Sequence, residues 1–420
     1  MENINKSSEN INNFNEEMKY NPQFTLVTLG SVGDGKSSLI RELTGIKTQR
    51  HSSERKRNIT IKPGYANLKI WECIECDLLS SSSSEDENLN CTCCASSLKL
   101  ISHLSFADLP GHQELILTMM SSVSLMRGGI CIVSAFEPIS KKPQLIQHLI
   151  AAKMANIDNL IICLNKLDLV TKEVAKARKK ELDELLEKLE IKPSIIIPTC
   201  FNKKLGISNL LKAIMNIYPP ITQKENVNPI LRTTRSFDVN KANTEYTNIC
   251  GGVIGGTLTQ GELKIGDEIE IRPGIISKDK SQPIITKILS LQTDGKNIDK
   301  INSGGLVAIG TDIDPYYCKG DLLMGSVVGK VGTLPSVYTE VTIKYNKLEL
   351  EGIDIKWEPV LNDNVFLQIL NTNVEAKLIK NQDTNLSFKL AKPVCIEQKS
   401  KILVCKKIES ILKIVGYGTI

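Results

Sequence analysis

The sequence predicts an α/β domain built on a mostly parallel sheet, followed by a long β-rich half. Three observations carry that expectation. The glycine-rich stretch Gly30-Ser31-Val32-Gly33-Asp34-Gly35-Lys36-Ser37 directly follows the apolar run Phe24 to Leu29. From Phe24 to about Pro220, apolar strand-like runs alternate with helical patterns, which calls for a sheet covered by helices on both faces. After Pro219-Pro220 the helical periodicity nearly vanishes, and glycines punctuate short apolar runs.

In chain order, Met1 to Pro22 holds seven asparagines among Ser, Glu and Lys, the composition of a disordered tail. The strand candidates that follow are Phe24–Leu29, Leu104–Asp108, Ile130–Ser134, Leu160–Leu164 and Ile195–Ile197. The clearest helix runs from Glu173 to Leu189, with Val174, Ala177, Leu182, Leu185, Leu186 and Leu189 on one face and a Glu184–Lys188 pair on the other. Beyond Pro220, short strands such as Glu268–Arg272 and Gly305–Ile309 predict a barrel or sandwich. A further β region begins near Leu334-Pro335, with Thr339–Tyr345, Asn364–Leu370, Leu386–Leu390 and Ile402–Lys406 as its strands. The domain boundaries are therefore set at 1–22, 23–222, 223–333 and 334–420.

Composition narrows the class. At 420 residues and 41% hydrophobic content the chain is long enough for several packed cores. No run approaches the ~18 apolar residues of a membrane span, and no apolar leader core is visible. A cytoplasmic protein without a membrane partner is expected. Twelve cysteines in such a chain are expected to be reduced or metal-bound rather than a disulfide framework. The net charge of +5 is concentrated: residues 46–62 carry Lys47, Arg50, Arg55, Lys56, Arg57 and Lys62 against Glu54 alone. Such a cluster is commonly a solvated face, yet beside a nucleotide site it can also meet RNA phosphate.

The glycine-rich loop carries the chemistry. Strand, loop, Lys-Ser and helix, in that order, make G-x-x-x-x-G-K-[ST] a phosphate cradle rather than a chance match. Its glycines let backbone N–H groups converge on phosphate oxygens, and the helix N-terminus adds partial positive charge. Gly30, Gly33, Asp34, Gly35 and Ser38 are the expected cradle, Lys36 the group that reaches the β- and γ-phosphates, and Ser37 a Mg²⁺ ligand. A second motif, Asp108-Leu109-Pro110-Gly111-His112, ends the predicted strand Leu104–Asp108. An Asp one strand away from such a cradle orders Mg²⁺, and Gly111 lets a backbone N–H approach the γ-phosphate. The third motif, Asn165-Lys166-Leu167-Asp168, follows the predicted strand Leu160–Leu164. The Asp168 carboxylate can accept the guanine N1–H and exocyclic amine, while Asn165 braces the loop and Lys166 lies along the base. Each motif is weak alone; in this order they point to a guanine nucleotide.

Together with Arg57-Asn58-Ile59-Thr60-Ile61-Lys62, these motifs resemble the translational GTPases. Arg57 to Asn67, Arg235-Ser236-Phe237-Asp238-Val239-Asn240-Lys241, Glu270-Ile271-Arg272-Pro273-Gly274 and the closing Gly416-Tyr417-Gly418 are more closely similar to the γ-subunit family of eukaryotic and archaeal translation initiation factor two. The resemblance runs from about residue 24 to the end. It implies an α/β P-loop GTPase domain followed by two β-barrel domains, with GTP or GDP and Mg²⁺ bound. It also implies delivery of initiator methionyl-tRNA to the small ribosomal subunit. The implied partners are α and β subunits, a GTPase-activating initiation factor and a nucleotide exchange factor. By match to the family's motifs, Thr60 closes on Mg²⁺ when a γ-phosphate is present and His112 orients the attacking water. The alternatives are an elongation-type carrier, selenocysteine-specific or similar to elongation factor Tu, and a scaffold that holds nucleotide without useful turnover.

Three departures from that family are expected to matter. Its loop usually reads Gly-His-Val-Asp-His-Gly-Lys-Thr, so Ser31, Gly33 and Asp34 stand for its His, Asp and second His. Gly33 removes a carboxylate from the phosphate side, and Asp34 is expected to add one next door, altering the fine Mg²⁺ geometry. The base-contacting loop, usually Ser-Ala, is Cys200-Phe201-Asn202 here, and Phe201 is expected to crowd the guanine edge. Cys200 lacks the hydroxyl that helps hold that loop.

The cysteines supply a separate site. Cys73-x-x-Cys76 and Cys91-x-x-Cys94, fourteen residues apart, have the spacing of a closed, structural, tetrahedral zinc site. Cys93 is a competing ligand, and the polar stretch Ser80 to Glu87 between the pairs is expected to be an exposed loop. This cluster resembles the zinc knuckle of some members of the same family. Cys131 and Cys163, in predicted core strands, are expected to be small apolar fillers.

Overall fold

A computed structural model describes residues 19–48, 64–86, 89–109, 116–157, 159–219, 227–241, 243–277, 280–348, 357–382, 384–408 and 411–420. Thr60, Gly111, His112, nearly all of the asparagine-rich tail and most of the basic stretch lie outside the described residues. The described chain divides into two compact units.

The first unit is organised by a seven-stranded sheet in the order β3-β2-β4-β1-β5-β6-β7. Its strands are β1 (Thr25–Leu29), β2 (Gly64–Cys73), β3 (Leu79–Ser83), β4 (Leu98–Asp108), β5 (Gly128–Ser134), β6 (Leu160–Asn165) and β7 (Ile195–Pro198). The helices of the described chain are, in order, α1 (Lys36–Thr44), α2 (Ile116–Val123), α3 (Pro143–Met154), α4 (Lys172–Lys188) and α5 (Ile207–Ile217), and all but α2 and the end of α3 belong to this unit. Strand β1 is central and runs parallel to β4 and β5, with Thr28 opposite Asp108 and Ile130. All five of its residues are buried, which is why it reads as an unbroken apolar run rather than an alternation. Phe24, Leu26, Leu39, Ile40, Phe106, Ile132 and Ile214 join the sheet and helices α1 and α5 into one core. Cys131 and Cys163 are fully buried there, as small fillers should be.

Several features differ from the sequence expectations. The parallel part of the sheet is extended by an antiparallel edge, because β2 pairs antiparallel with both β4 and β3. Ser80 to Ser83, expected in an exposed polar loop that runs on to Glu87, belong to β3 instead. Serine is a poor strand former by propensity, but β-propensity yields to cross-strand packing. Here the Trp71 indole N–H donates to Ser82 Oγ at 2.8 Å, and Ser82 and Ser84 are buried. In helix α4, Leu182, Leu186 and Leu189 face inward, but Ala177 is exposed. Half-buried Ala175 and Arg178 take the place expected for it. Glu184 lies 3.9 Å from Lys180, one turn toward the N-terminus.

The second unit holds residues 223–420, with helix α2 and the last turn of helix α3. Its strands are β8 (Ile230–Phe237), β9 (Val253–Gln260), β10 (Glu262–Lys264), β11 (Glu268–Ser277), β12 (Lys280–Thr293), β13 (Lys296–Ile298), β14 (Lys300–Asn302), β15 (Leu306–Thr311) and β16 (Val327–Lys330), then β17 (Val337–Lys347), β18 (Asn364–Ile369), β19 (Thr372–Gln382), β20 (Asn385–Cys395), β21 (Lys401–Ile408) and β22 (Ile411–Thr419). A first barrel runs β11-β16-β8-β9-β15-β12 and closes through the β11–β12 pairing. The second closes as β17-β20-β19-β18-β21-β22. Closure leaves neither ring an unpaired edge, which resolves the barrel-or-sandwich alternative for both. Arg272 seals the seam between the barrels, donating to the carbonyls of Leu334 and Pro335 at 2.8 and 3.0 Å while pairing with Glu270 at 2.7 Å.

Candidate nucleotide site and metal centre

Parallel sheets place their ligand sites at the carboxyl ends of the strands. Strand β1 delivers the loop 30–35 there, and helix α1 starts at Lys36 directly after it. Gly35 has φ 111°, and a Cβ on it would fall 2.6 Å from Asn165 Nδ2, so only glycine lets strand β6 brace the loop this closely. Gly33, at φ 82°, has nothing within 4 Å of where its Cβ would stand, which leaves that side of the loop open. The loop is fastened from inside. Asn165 Nδ2 donates to the Asp34 carbonyl at 3.0 Å, and the Gly30 N–H donates to His148 Nδ1 at 3.1 Å. Lys36 Nζ donates to the carbonyls of Gly30 and Ser31, both at 2.9 Å. Burial holds the Lys36 ammonium below its usual range, and the charges of Asp108 and Asp34 oppose that shift.

Ser37 and Asp108, the two described residues of the expected Mg²⁺ set, meet at 2.6 Å, the hydroxyl donating to Asp108 Oδ2. Thr48 Oγ1 donates to the same oxygen at 2.5 Å, and Thr28 Oγ1 to Oδ1 at 3.3 Å. Asp108 has no solvent exposure. A buried carboxylate ringed by hydroxyl oxygens is a hard, all-oxygen donor set, which fits Mg²⁺ chemistry. Thr28 and Thr48 were not singled out from sequence, since a threonine in a strand or after a helix carries no mark of its own.

At the other end of the loop, Lys166 adopts φ 61° and caps the turn Leu167–Leu169 that exposes Asp168. Asp168 is held below the usual carboxylate range, first by the neighbouring Cys200 thiol and then by the Lys203 and Lys166 charges. Cys200 thus sets a polar atom beside Asp168, although it lacks the hydroxyl expected to hold that loop. Phe201 departs from expectation. Its side chain is buried in the core with Leu39, Ile40 and Leu211 rather than lying on the base side. Its backbone N–H is 3.3 Å from Asn165 Oδ1, and Asn202 beside it is exposed. Asp34 is a further correction. Its carboxylate is buried, accepting the Ser31 N–H at 2.8 Å and the Ser134 N–H at 3.1 Å and pairing with Lys142. Asp34 therefore adds no free carboxylate to the phosphate side. Lys142 and His148 were missed from sequence, and the one available signal was Asp34 itself, a charge in a phosphate loop that requires a partner.

The four cysteines of the two pairs converge, their sulfurs all within 4.8 Å of one another. Cys73 and Cys94 are 3.3 Å apart and Cys76 and Cys91 3.5 Å, close to the ~3.8 Å edge of a tetrahedron with 2.3 Å Zn–S bonds. Sheet pairing builds the site: Cys73 ends β2 opposite Leu98 at the start of β4, and the Asn90–Ser97 bridge folds the second pair back. N–H groups of Cys94 and Cys93 pull the Cys91 thiol down to about 6, while desolvation raises Cys73 and the neighbouring thiols raise Cys76. Cys93 contributes this N–H rather than its sulfur, at 3.4 Å from Cys91 Sγ. This donor set fits a structural zinc.

Residues 21–220 match the elongation factor Tu GTP binding domain family, and residues 339–420 match the family described as initiation factor eIF2 gamma, C terminal. The chain is 34% identical over 414 residues to the eukaryotic translation initiation factor 2 subunit gamma of Encephalitozoon cuniculi, covering 96% of this chain and 94% of that protein. It is 38% identical over 400 residues to translation initiation factor 2 subunit gamma of Pyrococcus furiosus, covering 93% and 96%. The chain belongs to the translation initiation factor 2 γ-subunit family. It is a translational GTPase, with GTP or GDP and Mg²⁺ as its cofactors. Solved structures share the fold: a bacterial selenocysteine-specific elongation factor at TM-score 0.71 and 23% identity, and translation elongation factor SelB from Methanococcus maripaludis at 0.69 and 18%. The chain spans 58% of the former and 79% of the latter. At those identities the likeness speaks for the fold alone.

Two expectations follow from the geometry. Burial, reinforced by the Lys36 charge, pushes His148 down to about 3, so it stays neutral when folded. The unfolded chain takes up a proton below about 6.5 that the folded one refuses, so stability falls as pH drops from about 6.5 toward 3. Between pH 7 and pH 5 this group alone removes about 2 kcal/mol. Urea unfolding at the two pH values should show that loss, and His148→Asn, which keeps an acceptor for Gly30, should abolish this part of it. An identical loss in both proteins would refute the buried neutral imidazole. For the cluster, metal analysis should find one zinc per chain; Cys73→Ser should lower it and Cys93→Ser leave it unchanged. Zinc-free protein with freely titratable thiols would discard the site.

Proposed function

We propose that this γ-family chain carries initiator methionyl-tRNA to the small ribosomal subunit in its GTP state, within a cytoplasmic complex with α and β subunits. In this reading residues 23–222 are the GTPase domain, and 223–333 and 334–420 are the two barrels. The supporting observation is the meeting of Lys36, Ser37, Asp108, Asn165 and Asp168 along one edge of one sheet.

The roles follow from that edge. Backbone N–H groups of the loop and of the first turn of α1 would face the phosphates, Lys36 would exchange its two loop carbonyls for β- and γ-phosphate oxygens, and Ser37 with Asp108 would hold Mg²⁺. Asp168, already ionised and propped by Cys200, accepts the guanine N1–H and amine. A backbone N–H from Cys200-Phe201-Asn202 meets the guanine O6. Thr60 closes on Mg²⁺ and the γ-phosphate, and His112 orients the attacking water; an activating factor and an exchange factor complete the cycle. Hydrolysis by such a site is positional and electrostatic in origin.

Guanine selectivity tests the base end. Asp168→Asn sets an amide donor against the guanine amine, and losing a buried hydrogen bond to a charged group costs about 1.5–3 kcal/mol, roughly ten- to a hundredfold in affinity. Xanthine, with a carbonyl there, should bind the variant better than guanine does. A variant that still prefers GTP to XTP would remove Asp168 from this role. Carrier function is tested by filter binding of charged initiator tRNA, at one fixed salt because phosphate contacts are salt-sensitive. With the partner subunits present, the GTP form should bind more tightly by about 1–3 kcal/mol. Thr60→Ala should erase that difference, whereas His112→Ala should keep it and slow hydrolysis. Equal affinity in GTP and GDP would overturn the switch, and preference for elongator tRNA would favour an elongation-type carrier.

A further inference from the structure

The phosphate loop of this chain carries a negative charge of its own. Asp34 lies between Gly33, whose Cβ position is open, and Gly35-Lys36, and both it and Lys142 are 1% exposed. Its carboxylate pairs with the Lys142 ammonium, which also donates to the Ser134 carbonyl at 3.1 Å. Lys142 ends the turn Ile139–Lys141 and immediately precedes helix α3, whose His148 accepts the Gly30 N–H. One short segment, 142–148, therefore grips the loop twice, once through a charge pair and once through a neutral imidazole. The Lys142 grip does something the hydrogen bonds cannot. A loop that must receive a polyphosphate is opposed by an uncompensated carboxylate within it, because like charges at close range repel strongly where water is excluded. Freed from Lys142, Asp34 would also compete with phosphate oxygens for the Lys36 ammonium.

We propose that Lys142 is a positioning residue for the nucleotide: by pairing with Asp34 it cancels a carboxylate built into the phosphate loop and keeps that loop receptive to a polyphosphate. The proposal rests on the reading of loop 30–37 as the phosphate site, and it adds a residue from outside every nucleotide motif in the sequence. It acts through Asp34 and touches no substrate.

The test compares the full-length wild-type chain with Lys142→Met, Asp34→Asn and the double variant, using fluorescent GDP and GTP analogues well below each protein's unfolding temperature. Lys142→Met should weaken both nucleotides roughly ten- to a hundredfold. Asp34→Asn, which leaves a net positive charge, should bind as wild type or more tightly. The double variant, neutral again, should return to within about threefold of wild type. A purely structural pair would instead lower the thermal stability of both single variants and leave the affinity of the folded protein unchanged, which overturns the proposal. If Lys142→Met fails to fold, the other two proteins still decide: a folded double variant binding more than about tenfold weaker than wild type refutes charge cancellation. Wild-type protein that binds no guanine nucleotide would instead sink the site assignment itself.

Discussion

The carboxylate of Asp108 is the constraint on which the α/β unit depends. A carboxylate with no exposure must be met by donors or it destabilises the fold by several kcal/mol. Here the donors come from separate segments: Thr28 in strand β1, Ser37 in the first turn of helix α1, and Thr48 beyond that helix. Satisfying one oxygen pair therefore fixes strand β4 against β1 and sets where helix α1 begins. The same need for compensation makes the place a cation site. Hydroxyl dipoles only approximate the positive charge that Mg²⁺ supplies, so the oxygens that stabilise the fold are those that would hold the metal.

The phosphate loop is held by fastenings to its backbone and to its one carboxylate. Asn165 takes a carbonyl, His148 takes the Gly30 N–H, and Lys142 takes the Asp34 side chain. Asn165 has a second task, since its Oδ1 faces the Phe201 N–H and so ties the loop that precedes helix α5 to the phosphate end. Phosphate and base ends are thus braced by one amide. Phe201, buried in the core beneath, anchors that loop by apolar packing rather than crowding the base.

The cysteine cluster shows how a metal site and a sheet edge can be the same construction. Strands β2 and β4 continue past the core until Cys73 reaches Leu98, and β3 covers the flank with serines small enough to admit the Trp71 indole. The barrels of the second unit are held in another way. Their rings close on themselves, and buried Arg232, paired with Glu397, together with Arg272 on the Leu334 and Pro335 carbonyls ties one ring to the other.

The sequence by itself determined the parallel sheet, the three nucleotide motifs, the two cysteine pairs and the β-rich second half. Each of these is local: a strand–loop–helix order, a spacing of ligands or a change of hydrophobic period survives without knowledge of the neighbours. Tertiary structure alone decided what depends on partners distant in sequence. Asp34 reads as a carboxylate on the phosphate side until Lys142, 108 residues away, buries it. Cys200 reads as a lost hydroxyl until its thiol is found beside Asp168, and Phe201 reads as an obstacle until its ring is found in the core. Ser80 to Glu87 read as a loop because the stretch is polar and acidic, and Ser80 to Ser83 become strand because β2 offers both an unpaired edge and a tryptophan to satisfy. Side-chain direction and pairing are set by contacts that no sequence window contains, and for that reason motifs were legible here while their supports were not.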